Sequence, residues 1–123
     1  MKKVWILEAF YSREEMKKSY HDILDMLDDA VAKHNIEGIK AAEEMKSAYE
    51  KTLANNPDGR WTGFEGKTNY KEFCYCAKAA LRRNPDKKFR VVKAEIEDTA
   101  KYWLGYVNPE VNEGVYKYLM ATK

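Results

Sequence analysis

Val4-Trp5-Ile6-Leu7, with Ser12 and Glu15 following closely, is the stretch from which the fold is read. The four apolar residues form a short run rich in β-formers. Side chains alternate along a strand, so Val4 and Ile6 face one way and Trp5 and Leu7 the other. A strand from Lys3 to Tyr11 with two apolar faces belongs in the middle of a sheet. Ser12 and Glu15 then stand at the spacing of a capping box and open a helix that runs to about Lys33. Met16, Tyr20, Ile23, Leu27 and Ala30 form its apolar stripe, while Asp22, Asp25, Asp28 and Asp29 keep much of the remainder in water.

Outward from this start, His34-Asn35 interrupts the pattern. A second helical period follows through Ile39, Ala42, Met45 or Lys46, Tyr49 and Leu53, which gives a helical hairpin. Asn55-Asn56-Pro57-Asp58-Gly59 ends it, and the chain from there to Gly66 is expected to be a loop. Thr68 or Asn69 caps a third helix whose inner face is Phe73, Ala77, Ala80 and Leu81, stopped by Pro85. Phe89 to Glu97 alternates as a strand, and Lys101 to Val107 reads as a second one beyond the turn Asp98-Thr99-Ala100. Asn108-Pro109-Glu110 has the form of a helix start, with Val111, Val115, Tyr118 and Leu119 as the last helix's buried face.

The expected fold is α+β, a single domain over residues 1–123. Its sheet is small, mainly antiparallel and three-stranded, made of the N-terminal strand and the C-terminal hairpin and packed with four helices. Tyr102, Leu104 and Tyr106 opposite Trp103 and Val107 give such a sheet more apolar surface than helices on one side would cover. That predicts helices on both faces or a homo-oligomer.

Composition narrows the function. With 45% hydrophobic and 34% charged residues and no apolar run long enough for a membrane, the chain is expected to be a globular, cytoplasmic protein without a secretory leader. Cys74 and Cys76 lie two apart in a helix, diverge by roughly 200° and are expected to be reduced, largely buried hydrophobes. His21 and His34 have no ligand spacing, so no metal and no cofactor are expected. No serine or cysteine nucleophile is set beside a histidine, and His21 with Asp25 is an ordinary helical pair, so no enzymatic activity is expected.

The chemistry concentrates between Arg60 and Arg90, where nine cations meet only Glu65, Glu72 and Asp86, against a net charge of +2 for the whole chain. Gly66-Lys67-Thr68 has the ending of a phosphate-binding P-loop, but Trp61 stands where the first glycine is required and the preceding segment reads as a loop rather than a strand. What remains is an anion site at a helix start, formed by Lys67, Thr68 and Lys71. Trp61 and Phe64 either plug the core or stack on a base. Arg82, Arg83, Lys88 and Arg90, with Arg60 at the other end, complete the candidate ligand-binding set. The expectation is a non-enzymatic protein that sequesters or senses an anionic, nucleotide-type small molecule. The alternatives are nucleic-acid binding and a protein-interaction module, inhibitor or adaptor, that uses the acidic helix. No family motif is present. In size, lone domain and lack of a catalytic motif the chain resembles the accessory proteins of phages and mobile elements, a likeness of style that rests on no particular residue.

Overall fold

The computed structural model describes residues 1–123, the whole chain. Its elements are β1 (Lys2–Tyr11), α1 (Arg13–Ala32), α2 (Ile36–Asn55), β2 (Arg60–Lys67), α3 (Tyr70–Arg83), β3 (Phe89–Ile96), β4 (Val107–Val111) and α4 (Glu113–Thr122). By internal contacts they divide into two compact units, one formed by Met1–Phe10 with Trp61–Lys123, the other by Tyr11–Arg60.

The larger unit holds an α+β arrangement around a four-stranded antiparallel sheet of order β2-β1-β3-β4. β1 is internal, as its two apolar faces require. It pairs with β3 from Lys2 opposite Ile96 to Ala9 opposite Phe89. Cross-strand partners share a face, so Val4, Ile6, Glu8, Arg90, Val92 and Ala94 lie together on one side, and Trp5, Leu7, Ala9, Phe89, Val91 and Lys93 on the other. On the second side Trp5 meets Tyr70 and Phe73 of α3 at ring-centroid distances of 5.1 and 6.1 Å. α4 packs on α3 and β3 there and buries Leu119 completely. The inner stripe of α3 is the expected one: Phe73, Ala77, Ala80 and Leu81 are all buried.

The sheet has four strands, not three. The stretch from Arg60 to Gly66, expected as a loop, is strand β2, and the reason lies on the other side of the sheet. No helix covers Val4, Ile6, Val92, Ala94 and Ile96 within this unit; the segment between β3 and β4 does, through Ala100, Trp103 and Tyr106. The Trp103 indole lies so close to β2 that a Cβ on Gly63 would stand 2.3 Å from its Cζ3, and one on Gly66 2.5 Å from its Cγ and 2.6 Å from Ile6 Cδ1. The glycines of this stretch make room for an aromatic ring instead of loosening the chain.

The same packing corrects the C-terminal expectations. Lys101–Val107 is not a strand, since Trp103 and Tyr106 fold onto the sheet while Tyr102 and Leu104 are left 74% and 70% exposed. The hairpin's second strand is Val107–Val111, and Asn108-Pro109-Glu110 belongs to it rather than to a helix start. Pro109 is tolerated because β4 is an edge strand. Lys93 pairs with Glu110 and Glu95 with Val107, so two β4 residues oppose one on β3, a bulge in which Asn108 takes φ 53°. Asn112 is the true cap of α4, its side chain accepting from Val115 N at 3.0 Å. Val111 and Tyr118, expected to be buried, are 51% exposed. Trp103 and Tyr106 thus take up part of the surplus apolar surface within the chain, while Tyr102, Leu104, Val107 and Val111 keep the rest exposed.

The smaller unit is the expected helical hairpin. Ser12 and Glu15 form the full capping box, and Asn35 caps α2 by accepting from Gly38 N at 3.0 Å. Neither helix has a base in its last turn, but the Arg13 guanidinium at the start of α1 donates to the carbonyls of Leu53 and Asn56 at the end of α2. The Leu53 carbonyl also accepts from the C-cap Asn56 N and the Asn56 carbonyl from Gly59 N, so the guanidinium is a further donor that ties the two ends of the hairpin together.

Replacing Gly66 by alanine should destabilise the fold by about 1–3 kcal/mol in urea unfolding, because Trp103 and Ile6 close on the new methyl from both sides. Gly114→Ala, where the nearest atom would be 3.5 Å away on a helix, should lose nothing.

Candidate functional site

Of the residues proposed for binding, Lys67 and Thr68 meet in a cleft. β2 ends at Lys67 and α3 begins at Tyr70 behind its cap Asn69, whose side chain accepts from Glu72 N at 3.0 Å. The cleft at this junction holds about 200 Å³ and is bordered by Lys2, Lys67, Thr68, Lys101, Tyr102 and Trp103 over a floor that includes Val4 and Ile96. No carboxylate borders it. Lys2 Nζ donates to Ala100 O at 3.2 Å, which turns the start of β1 toward the segment carrying Lys101. Lys67 and Lys101 form no ion pair. Three ammonium groups gathered without an acid hold a standing positive potential, and each presents several donors.

The segment before Gly66-Lys67-Thr68 is a strand, contrary to the expectation. The tripeptide still does not form a phosphate-wrapping loop, because Gly66 and Lys67 are themselves strand residues and Gly66 is the seat of Trp103.

Three other members of the proposed set form a second cluster. Trp61 lies beside Phe10 at 5.3 Å, with the Arg90 guanidinium 4.4 Å and Lys88 Nζ 5.7 Å from its ring centre. Arg90 Nε donates to Glu8 Oε1 at 2.7 Å, and the Tyr106 hydroxyl donates to Glu8 Oε2. Glu8 is only 3% exposed, so this acid is buried with both oxygens satisfied. Burial first, then the hydrogen bond to Glu8, push the Tyr106 phenol far above its ordinary pKa, with Arg90 acting weakly in the opposite sense. Trp61, Lys88 and Arg90 are thereby engaged with the protein itself.

The remaining candidates lie apart. Phe64 packs edge-on against Phe89 at 5.3 Å. Arg60 lies 5.8 Å from the ring of Tyr49 in the helical hairpin. Arg82 and Arg83 are exposed in the last turn of α3, where they favour the helix dipole. Lys71 stands on the first turn of α3 and shares a shallow hollow with Lys67. Cys74 and Cys76 are free and half-buried rather than largely buried. Sequence reasoning missed Lys2, Lys101, Tyr102 and Trp103. Lys101-Tyr102-Trp103 was the available signal, a base followed by two aromatics, and its reading as a strand hid it.

No protein-family model, curated protein or solved structure matches the chain.

Tyr106→Phe should destabilise the fold by about 1–3 kcal/mol, since it leaves a buried Glu8 oxygen without its donor. The raised pKa means that the folded state keeps this proton after the unfolded chain has lost it. Wild-type stability should therefore fall as pH rises above about 10, and the fall should be shallower in Tyr106→Phe. Urea unfolding across an alkaline pH series measures both effects.

Proposed function

We propose that the chain is a non-enzymatic binding protein for a phosphate-bearing, nucleotide-type ligand, held at the cleft between β2 and α3. The observation that carries this reading is the convergence of Lys2, Lys67, Thr68 and Lys101 on one concavity that no carboxylate borders. Lysine is a compact point charge suited to phosphate, and Trp103 and Tyr102 give the cleft an aromatic wall against which a ring can lie. At about 200 Å³ the cleft is smaller than the roughly 300–1,000 Å³ of sites that enclose a drug-sized ligand. It would take a phosphate and part of a sugar or base.

A second reading, an interaction module acting as inhibitor or adaptor, is favoured by the apolar residues about the turn of the helical hairpin. Met26, Val31 and Ile36 are 51%, 53% and 80% exposed there. Isolated exposed apolar side chains are common, so this reading comes second.

Calorimetry of the wild type at low salt against inorganic phosphate, mononucleotides and short oligonucleotides tests the first reading. Lys67→Glu with Lys101→Glu should weaken binding at least tenfold, because charge-assisted hydrogen bonds contribute about 1.5–3 kcal/mol each. Circular dichroism should be unchanged, since Lys101 is exposed and Lys67 half-exposed. Absence of heat with every phosphate-bearing ligand would leave the hairpin surface as the better candidate.

A further inference from the structure

The lysine cleft does not end at Lys67. That residue also borders a hollow with Lys71, Glu72, Tyr75 and Cys76. Lys71 and Tyr75 in turn border a groove of about 480 Å³ with Tyr70, Cys74, Lys78 and Tyr118. The three depressions adjoin at Lys67 and on either side of the Lys71–Tyr75 ridge, and together they carry the surface from the cleft to the outer side of α3. Lys71, Tyr75 and Lys78 are spaced by four and three, so they lie on one face of the helix, and Phe73, Ala77 and Leu81 on the buried one.

Two properties of this track point to its occupant. Its rings are in water, with Tyr75, Tyr118 and Tyr70 exposed by 77%, 51% and 41%. Its cations are not neutralised. Lys67 and Lys71 have no ion pair, Lys78 Nζ rests 5.1 Å from the Tyr118 ring centre, and Glu72 is the one acid along the way. Outward-facing aromatics interleaved with free cations suit a strand whose bases are unstacked from a partner and whose phosphates follow at regular intervals. A duplex keeps its base faces inside, where these tyrosines would not reach them. From Lys71 to Lys78 the helix rises roughly 10 Å, so the two ammonium groups can meet separate phosphates of one strand.

We propose that the ligand of the cleft is a single-stranded nucleic acid, with one phosphate among Lys2, Lys67 and Lys101 and the following nucleotides along α3, their bases on Tyr75 and Tyr118. This rests on the cleft being a phosphate site. Fluorescence titration of the full chain with thymidylates from mononucleotide to octanucleotide, and with a duplex of the same length, tests it. Affinity should rise over about the first four nucleotides and then level off, and the duplex should bind more weakly than the single strand. The dependence on salt should have a slope of about −2, from three phosphate contacts at roughly 0.7 each. Tyr75→Ala and Lys78→Glu should weaken the octanucleotide by roughly 5- to 100-fold and leave the mononucleotide unaffected. Lys67→Glu should weaken both. If mononucleotide and octanucleotide bind alike, or the two α3 variants change nothing, the track carries no nucleic acid while the cleft reading stands. If the duplex binds more tightly, stacking on the tyrosines is excluded. If neither mononucleotide nor oligonucleotide binds, both readings fall.

Discussion

The larger unit depends on the Trp103 indole lying against Gly63 and Gly66. A strand with glycine at two positions is weak by itself, since glycine loses the most freedom on ordering and offers no side chain to its neighbours. Trp103 supplies the missing surface from another part of the chain. Once it is seated, Val4, Ile6, Val92 and Ala94 are fully shielded, and each large side chain removed from water contributes about 1.5–3 kcal/mol. The seat also fixes the path of the segment on either side of it. Lys101 and Tyr102 are held at the mouth of the cleft beside Lys67 because their neighbour is anchored in the sheet. Core packing and the positive cleft are thus two results of one contact.

Glu8 fixes the other end of that segment. An acid at the centre of a sheet face is expensive to desolvate, and it persists because Arg90 neutralises it across the strand pair while Tyr106 fills its second oxygen. The segment from β3 to β4 is therefore tied down twice, by an apolar ring at Trp103 and a hydrogen bond at Tyr106. Arg90 and Lys88 are also drawn onto the Trp61 face, a pairing worth about 0.5–2 kcal/mol for a cation on an indole. The basic segment from Arg60 to Arg90 accordingly separates into cations the fold consumes and cations it leaves free.

What could be read from the sequence was local. The central strand, the Ser12 capping box and the inner stripe of α3 are set by residues within a few positions of one another and stand in the structure as expected, and of the two caps offered for α3 the structure uses Asn69. Two of the errors trace to Trp103. Gly63 and Gly66 read as loop residues because only a distant ring explains a glycine in a strand, and Lys101–Val107 read as a strand because its aromatics alternate. Asn108-Pro109 has the composition of a helix start, and only the edge position of β4 and its bulge account for it there. Lys67 and Thr68 were legible as candidates through their place before a helix, while Lys71, named with them, stands on the first turn of α3 outside the cleft. Lys2 and Lys101 were not, since they come from opposite ends of the chain and meet only through the sheet.

The tyrosines of α3 and α4 are the part of the surface that stability leaves unexplained. Phe73, Ala77, Ala80 and Leu81 already complete the helix's inner face, and Leu119 fills the contact from α4, so Tyr75 and Tyr118 add little to the core. Placed outward, their rings give up the gain of burial and keep apolar area in water. Tyr118 recovers some of this under Lys78, yet that contact holds the ammonium over the groove and away from any carboxylate. Unpaired cations on Lys67 and Lys71 likewise add repulsion that neighbouring acids elsewhere on the chain relieve, as Asp29 does for Lys33 and Glu50 for Lys46. With a Debye length near 8 Å at physiological salt, a net charge of +2 spread over the molecule matters less than this local excess. The proposed ligand would relieve both strains at once, its phosphates answering the lysines and its bases covering the tyrosines.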